Sequence, residues 1–432
     1  MYEGKAHTLF LRFAVPQMLG LLFNSVYTIV DGVFIGNRLG REAMAAAAVA
    51  VPMLEILISM AIAVSSGAGV LISIRLSQNE EDTARRLFQE ALWLLGAAGL
   101  LIALLGNLWL KPLAKLLGTT PEISGSAMAY LRYIVTFAPF QLLSFLLGGM
   151  VRNDGRPKLA MTALMLGAVS NIVLDYVFMY PLNMGISGAA LATALGPIFS
   201  VWILLPHFLL KKGALYFSHF RPCIRDIRHI LLYGFPSFIM EFSIGMVTFL
   251  YNFAIVYYGY GEEGLAAYLV IGYLMLIILT LFLGLAEGLQ PVFSYLFGAG
   301  DKIRTRDMRR FSIGVFLVTG FVCYSAVILF SKAFYRIFTP EDLELVAFAY
   351  EKSRSNFCGF TLVGFNILMI SFWQATRKAG KALVISLLRS LILPPGFIIL
   401  LPALLGRELV WLCLSAAEAL TMCCAVFYTG KE

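Results

Sequence analysis

Charge is scarce in this 432-residue chain: Asp, Glu, Lys and Arg make up 13% of it, against 60% hydrophobic residues. A composition so poor in charge cannot clothe the surface of water-soluble domains, so the usual reading of this length as two or three soluble units does not apply. Histidine is scarcer still. His7, His207, His219 and His229 form no HExxH pair, which argues against catalytic or metal chemistry built on them. Six cysteines (Cys223, Cys323, Cys358, Cys413, Cys423 and Cys424) show no CxxC spacing and lie mostly in apolar runs. They read as small hydrophobes, with neither disulfides nor metal ligation expected. A G-x-x-x-x-G-K-[ST] loop is missing, and no polar stretch is long enough to house a nucleotide, so an ATP-powered pump is excluded. No cofactor is expected. The net charge of +8 is spread over alternate loops and not gathered on one surface, so it reads as an orientation signal and nucleic acid is not an expected partner.

What the chain does have is apolar length. At about 20 apolar residues per span, it accommodates twelve membrane helices, over residues 10–35, 44–74, 90–110, 127–150, 159–180, 187–210, 229–257, 265–297, 309–335, 344–373, 382–402 and 406–428. The opening MYEGKAHT lacks the apolar core of a signal peptide, so the first span is expected to remain in the mature protein. Bases gather in every second connection: Arg75, Arg85 and Arg86; Arg152, Arg156 and Lys158; Lys211, Lys212, Arg221, Arg225 and Arg228; Lys302, Arg304, Arg306, Arg309 and Arg310; Arg377, Lys378 and Lys381. By this bias, those loops and both termini are expected on the cytoplasmic side of the plasma (inner) membrane. The longest polar interval, 211–228, divides an N-terminal bundle (1–210) from a C-terminal one (229–432) and carries bases suited to anionic lipid headgroups.

The two parts repeat one another. FAVPQMLGLLFNSVY matches GFPSFIMEFSIGMV, setting Pro16 opposite Pro236, and SSGAGVLISIRLSQ matches AEGLQPVFSYLFGAG, setting Ser66 opposite Glu287. With six spans per repeat, the halves share one orientation. The fold expected is therefore an all-α polytopic membrane protein of two parallel-related six-helix bundles, an architecture of transporters with the substrate cavity between the halves.

Against the apolar background, acids inside spans are the informative residues, because an ionisable group at hydrocarbon depth needs a cavity or a partner. Asp31 lies in RFAVPQMLGLLFNSVYTIVDGVFIGNRLG, and stepping back from it in sevens reaches Asn24 and Gln17, with Tyr27 in the turn between. The fifth span carries Asn171 and Asp175 one turn apart, and the sixth carries Thr193. With these helices oriented as the loops imply, Asp31, Asn171, Asp175 and Thr193 reach a similar depth, where their oxygens suit a shared proton or a small cation. Gln17, Asn24 and Tyr27 read as the lining of the path to that level.

Three stretches carry a family resemblance: DGVFIGNRLG, RNDGRPKLA and NIVLDYVFMYPLNMGISGAALATALG. They resemble the multidrug and toxic compound extrusion (MATE) family, within it the damage-inducible and related prokaryotic branch. The likeness implies that Asp31, Asn171, Asp175 and Thr193 are cation-coupling residues, with Pro16 letting the first helix bend. The second half departs from the first, since Pro394 stands opposite Asp175 and no acid replaces Asp31. Glu241 and Glu287 are candidate contacts for cationic substrates, or else partners of Arg389; Glu55 and Glu418 have no assigned role. The resulting expectation is a monomeric secondary exporter, driven by a proton or sodium gradient, that moves small organic, mostly cationic compounds. A lipid-linked oligosaccharide flippase of the same superfamily remains the nearest alternative, expected to show a more cationic cavity. A membrane-embedded enzyme or receptor would need neither the repeat nor the buried acids.

Overall fold

The computed structural model describes residues 4–218, 223–338 and 342–430. His219 and Arg221 of the expected linker lie outside the described residues. Among the described residues, ten helices are long and apolar enough to cross a membrane: α1 (Ala6–Gly40), α2 (Glu42–Ser77), α3 (Glu81–Leu108), α5 (Pro157–Met179), α6 (Ile186–Leu209), α7 (Ile224–Tyr257), α8 (Gly261–Gly298), α9 (Lys302–Ile337), α11 (Ala379–Leu405) and α12 (Arg407–Thr429). Two bent pairs complete the set: α4 is Ser124–Thr136 with Ala138–Asn153, bent by 47°, and α10 is Leu343–Phe357 with Phe360–Ala375, bent by 45°. The fold is the all-helical, twelve-span architecture read from the sequence, and the bends fall in the fourth helix of each half.

Each interruption has a local cause. Between α1 and α2 the chain breaks at Gly40, whose φ of 81° is costly for any residue with a Cβ. The bend in α4 sits beside Pro139, which brings no N–H to the helix ladder. In α10 the freed N–H of Gly359 donates to Ser415 Oγ at 2.8 Å. Residues Leu388–Ile392 of α11 form a π-helical turn directly before Pro394 and Pro395. The two prolines lack amide hydrogens, and the widened turn absorbs the mismatch. Pro16, by contrast, leaves α1 helical: Gly40 is the one residue with non-helical φ and ψ between Ala6 and Ser77.

Large apolar side chains such as Trp93, Leu104, Phe253, Phe321 and Leu329 remain exposed, as expected of helices solvated by lipid. Among the described residues two large apolar cores lie inside, one per half, and each takes in the start of the other half's first helix; a small third cluster joins Ala46 and Val49 to Ala127. Leu9, Phe10, Phe13 and Ala14 of α1 belong to the second-half core, and Ile230 of α7 belongs to the first-half core. The exchange needs close crossings. Gly67 of α2 packs on the backbone of Ile230 and Gly234, and its repeat counterpart Gly288 of α8 packs on Phe13 and Ala14, with no room for a Cβ at either. The α1–α2 hairpin accordingly makes its most extensive contacts with α8 and then with α7.

Candidate functional site

The polar residues gather at three levels of the bundle. In the first half, α1 brings Asp31 beside Asp175 of α5, close enough for the two carboxyls to interact directly. Carboxyls that meet in this way need a proton or a cation between them, because two like charges cannot share the space. Asn171, one turn before Asp175, donates its amide to Asp175 Oδ2 at 3.1 Å and accepts the Thr193 backbone N–H at 3.1 Å. The Thr193 hydroxyl donates to Ala189 O at 3.1 Å and lies 3.4 Å from the hydroxyl of Tyr130 in α4. Asp31 Oδ1 and Asp175 Oδ1 are buried without a hydrogen-bond partner. Among the described residues, no Lys, Arg or His pairs with either acid. A buried, acceptor-rich cluster with no cation of its own is chemically a receptor for a proton or a small cation. Tyr27 borders it, within electrostatic reach of Asp31, Asp175 and Glu55.

At the junction of the halves, a cavity of about 850 Å³ is lined by residues of both. Gln17, Glu241, Glu287 and Arg152 are its main polar groups. Glu287 of α8 accepts from Gln17 Nε2 at 2.8 Å and pairs with Arg152 at 3.5 Å, both across the seam. The repeat counterpart of Glu287, Ser66 of α2, occupies the mirror position. Its hydroxyl accepts from Gln290 Nε2 at 2.7 Å and Gln374 Nε2 at 2.8 Å, and lies 3.1 Å from Ser237 Oγ. Two hubs thus tie the seam, one charged and one neutral. Glu241 lies within electrostatic reach of Glu287 on the same cavity, and of Glu55 and Arg389 beyond its lining.

The third level lies inside the second half, where Arg389 pairs with Glu418 at 2.8 Å beside a cavity of about 710 Å³. Glu418 also accepts from Asn366 Nδ2 at 2.7 Å. Arg389 sits in the π-turn of α11, and the prolines that force that turn also set where its guanidinium emerges.

Of the residues singled out from the sequence, Asp31, Asn171, Asp175 and Thr193 come together, with Tyr27 adjacent. Asn24 is half-buried on α1. Gln17 does not accompany the acids: it lies ~21 Å along the helix from Asp31, given a rise of about 1.5 Å per residue, and lines the cavity between the halves. Glu241 and Glu287 line that cavity too; of the expected alternative of pairing with Arg389, Glu241 keeps an electrostatic interaction with it while Glu287 does not pair with it. Arg389 is held by Glu418, and Glu287 by Arg152. Tyr130 escaped the sequence reading because neither tyrosine of AYLRYIVT, Tyr130 or Tyr133, stands out from its apolar span. His207 was set aside there, yet it lies 2.7 Å from Asp154 Oδ2 in a fully buried pair, and Asp154 Oδ1 also accepts from Ala214 N. That pair anchors the start of the linker.

Comparison with known proteins agrees across the chain. The MatE family model matches twice, over residues 16–177 and 236–398, and so begins at the two prolines that head the repeat. The multidrug export protein MepA of Staphylococcus saprophyticus is 27% identical over 399 residues, covering 91% of this chain and 86% of that protein. MepA of Staphylococcus aureus is 27% identical over 417 residues, covering 95% and 90%. A solved structure described as the outward-facing conformation of a multidrug resistance MATE family transporter superposes with a TM-score of 0.92 at 22% identity, covering 99% of this chain and 96% of that one.

Proposed function

The chain belongs to the multidrug and toxic compound extrusion (MATE) family, and from that premise we propose that it is a cation-coupled secondary exporter of small organic cations. The observation that carries the reading is the first-half cluster, where two carboxyls meet with no basic partner beside them. Loading it with a proton or sodium ion relieves the repulsion between Asp31 and Asp175 and lets α1 and α5 pack together, with Asn171 and Thr193 supplying further oxygens. Releasing the ion restores the repulsion and loosens α1 from α5. Because α1 also reaches the cavity through Gln17, a shift of α1 acts on the Gln17–Glu287 contact and alters the substrate's surroundings. Alternating access then follows as the halves rock about the seam.

Glu241 and Glu287 are the cavity's acids, and they outnumber its one base, Arg152. That balance favours cationic substrates over the phosphate-linked sugars of a flippase. The bases of the alternate loops support a topology with the termini and the 211–228 linker on the cytoplasmic side of the inner membrane. One chain contains both halves of the cavity, so a monomer suffices.

Ethidium efflux from everted vesicles tests the reading, with the gradient imposed as a pH step or a sodium step separately. Coupled export is expected in the wild type and is expected to fail in Asp31→Asn and Asp175→Asn. Undiminished gradient-driven export by both variants defeats the assignment.

A further inference from the structure

At the end of the bundle where α2 finishes and α7 begins, a separate cavity of about 950 Å³ opens at the seam. It is lined by Arg75, Arg86, Arg225, Arg377, His229 and Asp226, with Leu71, Ile74, Thr83, Leu87 and Cys223 forming the remaining wall. Every strong base in this lining is arginine, although the loops at this end also carry Lys158, Lys211, Lys212, Lys302, Lys378 and Lys381. The four guanidiniums come from both halves: Arg75 and Arg86 from α2 and α3, Arg225 from α7, and Arg377 from the connection between α10 and α11.

We propose that this cavity binds a phosphate-bearing anion that bridges the two halves. Guanidinium is the side chain whose planar fork matches phosphate oxygens in pairs, and converging arginines in a partly enclosed space favour a doubly charged anion over solvent chloride. The protein's own acids leave part of this charge unmatched. Arg86 pairs with Asp226 at 2.7 Å across the seam, and Arg75 with Glu80 at 2.8 Å from outside the lining. Glu90, close behind, accepts from Cys223 N at 2.7 Å. Among the described residues, Arg377 and Arg225 have no carboxylate partner. Arg377 is instead aimed by its backbone and by α7. Its φ of 60° is unusual for a residue with a side chain, and its Nε donates to Tyr233 Oη at 3.2 Å. Arg86 Nε is buried with no hydrogen-bond partner, leaving a donor available to an anion. The ligand is either a free phosphate or the headgroup of an anionic lipid in the adjacent leaflet, for which a basic pocket between helices at the membrane face is a recurring host.

The test uses the full chain purified in detergent and follows its unfolding midpoint under titration with inorganic phosphate, with short-chain phosphatidate, and with acetate at matched ionic strength. A saturable upward shift is expected with phosphate or phosphatidate and not with acetate. Saturation by phosphate identifies a free-anion site, and saturation by phosphatidate alone identifies a headgroup site. Apparent affinity is expected to fall at least tenfold in Arg225→Gln/Arg377→Gln and to recover in part in Arg225→Lys/Arg377→Lys. Arg225 is exposed, so Arg225→Gln alone tests the site if the double variant fails to fold. The proposal is overturned if neither phosphate ligand gives a saturable shift, if acetate gives the same shift, or if the glutamine variants respond as the wild type does. The assay needs no transport, so its failure is separable from failure of the export reading.

Discussion

The two halves descend from one repeat, yet they treat buried charge in opposite ways. In the first, an acid pair on α1 and α5 has no basic partner among the described residues, and Asn171, Thr193 and the hydroxyls of Tyr130 and Tyr27 attend it. In the second, α11 and α12 are joined by Arg389 and Glu418, an acid already neutralised by the chain itself. On the proposed reading, adding or removing a mobile cation is expected to change the first arrangement greatly and the second little. The seam repeats the contrast. The hub at Glu287 carries charge and faces Arg152, while the hub at Ser66 is made of hydroxyls and amides. Duplication supplied the positions, and divergence of a few side chains separated a half suited to loading from a half suited to holding its shape.

The largest effect expected from breaking this contrast is on coupling. Asp175→Asn removes one of the two charges, and gradient-driven drug export in vesicles is expected to fall by more than about tenfold, while the protein remains folded because an amide is isosteric and reaches the same partners. Next comes Arg389→Leu, which leaves Glu418 buried and unpaired and is expected to cost about 3–5 kcal/mol of stability. The double change Arg389→Leu/Glu418→Leu is expected to recover most of that loss and to export normally, as read by thermal unfolding and efflux together. Loss of coupling in a well-folded double variant shows instead that the second half takes part in ion loading. A smaller effect belongs to the seam: Glu287→Gln leaves Arg152 as the uncompensated charge of that hub and is expected to weaken binding of organic cations several-fold, measured by ligand fluorescence in detergent, with neutral ligands unaffected. Smallest is Tyr130→Phe. Removing one long hydrogen bond to Thr193 is worth about 1 kcal/mol, and it is expected to shift the ion concentration for half-maximal export by no more than about fivefold.

Much of the fold was legible because hydrocarbon imposes its own grammar. Apolar length located the spans, and the acids inside them stood out against that background. The shared depth of Asp31, Asn171, Asp175 and Thr193 followed from helix rise and alternating direction alone. What was not legible depended on rotation about the helix axis and on pairing across long separations. Gln17 lies on the same heptad stripe as Asp31, but the stripe spans several turns, and its far end meets α8 at Glu287. The ion pair of Arg389 with Glu418 was missed because the turn that aims it there is π-helical, and a register shift of that kind leaves only the Pro394–Pro395 pair as its trace. The exchange of helix starts between the cores was signalled by Gly67 and Gly288, whose alignment in the repeat was visible although their partners were not.

The break at Gly40 has a mechanical meaning. With a single residue between them and no slack, α1 and α2 behave as the two arms of one lever. Asp31 sits near the fulcrum, while the free end of one arm carries Gln17 and that of the other carries Ser66 and Gly67. A small displacement where the acids meet is thereby lengthened at both hubs, so a stiff hairpin can convert the arrival of one ion into movement along the whole seam.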